Sequence, residues 1–143
     1  MHAYTVLVKL FRVIASVALL VAPAAVVLAH HSFAAEFDAN KPVTIKGTVV
    51  LVEWSNPHSW IHIEVTGPDG KVERWAVEGG APNALIRRGW NKNSLPVGLE
   101  ITVEGFQAKD GSLRANGRDI TFPDGKRLFV GSSGTGAPYD KRQ

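Results

Sequence analysis

The sequence predicts a mainly β protein, an OB-like barrel of five to six strands with one short helix between strands 3 and 4. Three observations predict it. Stretches rich in Val, Ile and Thr recur at short intervals and alternate apolar with polar residues. Turns built on Pro, Gly and Asn separate them. One segment changes period, and it follows the third stretch. An open antiparallel sheet with one helix packed on it is the alternative arrangement of the same elements.

The elements follow in order. Asn40 to Pro42 breaks the chain before a long strand over 43–54 (VTIKGTVVLVEW). Gly47 inside it marks a bend or bulge, as where a small barrel turns a corner. Ser55-Asn56-Pro57 turns into a strand over 58–66, with Ile61, Ile63 and Val65 on one face and His58, Trp60, His62 and Glu64 on the other. Gly67-Pro68-Asp69-Gly70 is a hairpin turn leading to a third strand over 71–78. Pro82 then suits a first helical turn, Arg87 and Arg88 a last turn, and Gly89 the position just past it. Strands over 99–107 and 113–122 follow, and 127–130 can pair back after the turn at 123–126. The Gly/Ser-rich tail 131–143 reads as disordered.

The beginning of the chain reads as a secretory signal. Lys9 and Arg12 precede the uncharged run 13–29 (VIASVALLVAPAAVVLA), which ends in small residues suited to signal peptidase. An uncleaved membrane anchor is the rival, disfavoured by the short run and by Pro23. The expected organisation is a signal peptide at 1–29, an N-terminal arm at 30–42, a barrel domain at 43–130 and the tail. The formal charge of +3 includes Lys9 and Arg12, so the mature chain is close to neutral. No basic face is left for nucleic acid. Export implies a periplasmic location and, after cleavage, no stable membrane span.

The chain has no Cys, which excludes disulfides, thiolate metal sites and Cys nucleophiles. Neither an HExxH pattern nor a nucleophile elbow is present, so the chain reads as a binding protein and not an enzyme.

The histidines carry the chemical argument. Cleavage after Ala29 exposes His30 and His31 at a new terminus, where α-amine, imidazole and amide nitrogens suit tetragonal Cu(II); Zn(II) and Ni(II) also fit nitrogen donors. The only Met is Met1, so a soft thioether site for Cu(I) is not available in the mature chain. His58 and His62 are the further candidate ligands, with Glu36 and Asp38 as oxygen donors. A four-residue strand offset places His58 and His62 about 13 Å apart, too far to share an ion without movement. The competing function is a metal-free envelope module that binds a protein or small ligand through Trp54, Trp60 and Asn56. The bland readings are a frayed His-rich terminus, turn-bound His58, surface His62 and Trp residues that only pack.

The strings Ala29-His30-His31-Ser32-Phe33, Trp54-Ser55-Asn56-Pro57-His58, Glu78-Gly79-Gly80-Ala81-Pro82-Asn83 and Arg87-Arg88-Gly89-Trp90, with Gly47-Thr48 and the tail from Phe129 to Pro138, together carry a resemblance. The chain resembles a family of small exported bacterial proteins catalogued as a domain of unknown function. The resemblance implies an envelope location and no activity, so it transfers no site residues. The order of elements is similar to small periplasmic OB-type proteins, copper-handling chaperones of efflux systems among them. Their Met-containing Cu(I) site has no counterpart in this mature chain.

Overall fold

The computed structural model describes residues 32–139. The expected signal segment at 1–29, His30 and His31 lie outside the described residues. The elements are α1 (Phe33–Glu36), β1 (Phe37–Glu53), β2 (Trp60–Thr66), β3 (Val72–Glu78), α2 (Pro82–Arg87), β4 (Glu100–Ala108), β5 (Arg114–Thr121) and β6 (Arg127–Phe129). No helix among the described residues is long and apolar enough to cross a membrane.

The strands form one sheet in the order β3-β2-β1-β4-β5-β6. A parallel pairing of β3 with β5, Ala76 opposite Arg114 and Glu78 opposite Asn116, closes five of these strands into a ring. Closure excludes the open-sheet alternative and gives the OB-like barrel with α2 between β3 and β4. β1 is long because it serves both neighbours. Its first part pairs with β4 and its last part with β2, and Thr48 is shared between them.

The interior is apolar and filled. Ile45, Val49, Ile61, Ile63, Val77, Ile101, Val103, Ala115 and Ile120 are all buried and form one core. α2 contributes Leu85, and the loop after it contributes Trp90 and Leu95. Pro82 opens α2, and Gly89 takes a φ of +95° just beyond it, a conformation open to glycine at little cost.

The bend expected at Gly47 is resolved into two features. The bulge lies three residues later, where the register against β2 shifts between Val49 and Leu51. That slip reverses the alternation, so Leu51 is exposed while Val52 packs on the core. Gly47 itself lets β2 approach, since a Cβ there would sit 2.6 Å from the Glu64 carbonyl oxygen.

Two expected boundaries are corrected. β1 begins at Phe37, not Val43, with Phe37 opposite Ala108 and Pro42 opposite Phe106. The register shifts between those pairs, and this irregularity accommodates a proline that cannot donate to a ladder. The tail through Tyr139 is packed. Ala137 and Tyr139 join Phe33, Phe37, Phe106 and Ala108 in a second apolar cluster. Composition hid this because glycines supply the turns, at Gly134 and Gly136 with φ of +73° and +79°, while two residues do the burying.

Candidate functional site

The alternation of the strands sets two faces. Ile61, Val77 and Ala115 point into the filled interior. Trp60, Glu78 and Asn116, each one residue away, therefore share the outer wall along the β2–β3–β5 seam. The ladder holds them together, with Trp60 opposite Glu78 and Glu78 opposite Asn116. The 67–70 hairpin turn fixes the first of these pairings.

His58 reaches this wall from the turn before β2. The Ser55 hydroxyl donates to the His58 carbonyl at 3.0 Å, and the Asn56–Pro57 peptide is cis. The backbone beyond is pinned, because the Ser59 amide donates to Gly80 O and the Gly79 amide to Ser59 O. Gly79 is needed here for close approach. A Cβ on it would lie 3.1 Å from the Val130 side chain and 3.3 Å from Val130 O. Through that approach the segment after β6 brings Ser132 beside the imidazole.

His58 Nδ1 faces three oxygens. It lies 3.2 Å from Ser132 Oγ, 3.3 Å from Gly79 O and 3.5 Å from Glu78 Oε1. The Asn116 amide donates to Glu78 Oε1 at 3.3 Å, and the Tyr139 hydroxyl donates to Asn116 Oδ1 at 2.6 Å. Arg114 lies over the Trp60 ring at 5.6 Å and over Phe37 at 5.8 Å, and it pairs with Glu36 at 2.5 Å. Burial raises the Glu78 pKa above its ordinary 4.5; His58 opposes the rise, Glu36 adds to it, and Arg114 and the Asn116 hydrogen bond oppose it.

The expected site residues thus divide. His58 and Trp60 are on the wall together. His62 shares the Trp60 face of β2 two residues along, opposite Ala76, where its Nε2 lies 3.1 Å from Glu53 Oε2. Trp54 is half-buried and packs against the main core, and Asn56 is exposed in the turn. His30 and His31 lie outside the described residues, and Asp38 accepts from the nearby Asn40 amide at 2.9 Å. Among the described residues no three His, Cys, Asp or Glu side chains converge as a metal-binding group.

Glu78, Asn116, Arg114, Ser132 and Tyr139 were not singled out from the sequence. Counting outward from the 67–70 turn would have set Glu78 against Trp60. The others arrive through pairings that no local pattern announces. Arg88, which the sequence offers as favourable charge at a helix end or as a grip for an anion or acidic partner, donates to Gly131 O at 2.7 Å and to Ser133 Oγ, and lies over the Phe129 ring.

A cavity of about 210 Å³ lies elsewhere, over β1 and β4, with Glu104 and Arg118 at its rim. Its charges are engaged with one another, since Arg118 and Arg127 both bond Glu104 and Asp119. The wall around His58 is chemically richer.

No curated protein matches the chain. The model of a family of unknown function, DUF6152, matches residues 17–117. That span is more than half of the chain, and the protein belongs to this family.

Proposed function

We propose that the protein is a small exported binding protein, not an enzyme, and that it meets its ligand on the outer wall formed by His58, Trp60, Glu78 and Arg114. One observation carries the reading. An imidazole, a largely buried carboxylate and a Trp ring covered by a guanidinium converge on a wall that apolar packing alone does not require. The barrel interior offers no room, because it is filled by Ile, Val and Leu side chains. The periplasm is the expected location, on the strength of the basic and apolar leader.

The experiment is amide mapping by NMR on protein exported through its own signal, with a panel of small polar molecules and metal ions. Binding is expected to shift amides at 58–60, 78–80 and 114–116. Shifts confined to other surfaces would remove the wall as the site.

The pair at His30 and His31 supports a second reading, Cu(II) handling at a free N-terminus. Stoichiometric Cu(II) binding well below micromolar, lost when one residue is added before His30, is its signature. Binding indifferent to that extension would reduce the pair to ordinary surface histidines.

A further inference from the structure

We infer that Asn116-Gly117 is a deamidation site that the closed barrel protects, so that a chain held open at this seam is modified irreversibly and cannot close again.

The chemistry belongs to the dipeptide. The Gly117 amide nitrogen attacks the Asn116 side-chain carbonyl carbon. A new C–N bond closes a succinimide, the Cγ–Nδ2 bond breaks, and ammonia leaves with the proton from the Gly117 amide. Water then opens the ring at one carbonyl or the other, giving Asp or isoaspartate. A following glycine favours the first step, because it leaves the attacking nitrogen unhindered and the backbone free to bend. Asn116-Gly117 is the one Asn-Gly pair in the sequence.

Packing fixes both residues of the pair. A Cβ on Gly117 would lie 2.9 Å from side-chain carbons of Val77 and Val130 and 3.2 Å from Glu78 O. A residue with a side chain, which would slow the reaction, has no room there. Asn116 is 1% exposed and engaged at both ends of its amide, donating to Glu78 Oε1 and accepting from the Tyr139 hydroxyl. The seam therefore keeps a labile pair because it needs each member.

The same packing holds the reaction off. Attack needs a bent backbone at Asn116, and β5 holds it extended. Asn116 is paired on both sides, with Glu78 of β3 and Phe106 of β4. Its amide would also have to leave both hydrogen-bond partners.

Neither product fits the seam. Asp in place of Asn116 sets a second carboxylate against Glu78 in a buried position, where like charges oppose one another. Isoaspartate carries the peptide bond through the side chain and adds one backbone atom, which displaces Gly117 and the residues after it from register. Glu78 opposite Asn116 is the last pair of the β3–β5 ladder that closes the ring. The modification thus strikes where closure is decided.

The test is peptide mass spectrometry over time on the full exported protein, folded and in urea, in mildly alkaline buffer. In urea Asn116 is expected to deamidate ahead of every other asparagine. In the folded protein it is expected to stay intact while exposed Asn93, followed by Ser94, reacts first. Tyr139→Phe removes one partner of the amide. It is expected to speed the loss of Asn116 in the folded protein by at least about fivefold and to leave the rate in urea unchanged. On dilution from urea, unmodified chains are expected to refold and chains deamidated at Asn116 to remain unfolded. Deamidation of Asn116 as fast in the folded protein as in urea would overturn the inference. So would a deamidated fraction that refolds as completely as the unmodified one.

Discussion

The hydroxyl of Tyr139 donates to Asn116 Oδ1 across 2.6 Å, and both residues are buried. This bond ties the C-terminal segment to β5 at the residue that also donates to Glu78. The segment that reads as a loose tail is thereby a structural part of the wall.

Tyr139→Phe is expected to destabilise the fold by about 1–3 kcal/mol, because it leaves a buried amide oxygen without its donor. The midpoint of urea unfolding measures this. An unchanged midpoint would mean that the Tyr139 hydroxyl bond adds nothing to the stability of the barrel.

Arg88→Ala is expected to loosen the 131–139 segment while leaving the ring of strands intact. It removes two hydrogen bonds and a guanidinium over Phe129. The sensitive probe is the Phe33 amide, which donates to Thr135 O at 2.8 Å. Its hydrogen exchange should accelerate, and exchange in β4 should not.

Gly47→Ala is expected to cost about 1–3 kcal/mol, since the added methyl would press on backbone and not on a yielding side chain. Its Cβ would lie 2.6 Å from Glu64 O and 3.0 Å from the Val65 side chain. Thermal unfolding of this variant beside Lys46→Ala checks the prediction. Lys46 is exposed and pairs with exposed Glu100, so its loss should be nearly silent.

Glu78→Gln is expected to change how stability depends on pH in metal-free buffer. Burial raises the Glu78 pKa above 4.5, so the folded state holds that proton more tightly than the unfolded chain does. The resulting stabilisation is complete below pH 4.5 and is lost as pH rises through the folded value. The variant cannot lose it. The stability of the unaltered protein relative to Glu78→Gln should therefore fall as pH rises from 4.5 and then level off. A rise instead would mean that attraction to His58 outweighs burial.

The strands and the helix were legible because their signals are local. Ile61, Ile63 and Val65 sit two apart, and Pro82 to Gly89 carries a helix start and stop within one short window. The order of those elements was enough to indicate an OB-like ring. The start of β1 was not legible, because Pro42 is a break in any local reading. Only the shifted pairing with β4 shows how the strand passes it.

By itself, the sequence determined the alternating faces, the element order, the uncharged apolar run over 13–29 and the absence of thiol chemistry. Tertiary structure alone decided which polar residues meet. Glu36 pairs with Arg114 across 78 positions, and His58 meets Ser132 across 74. Periodicity reports which way a side chain points within its own element. It carries no information about which distant element will pack against it. Ring closure between β3 and β5, and the packing of residues 33–37 and 131–139 beside that seam, gather the His58 wall from residues that are unremarked one by one.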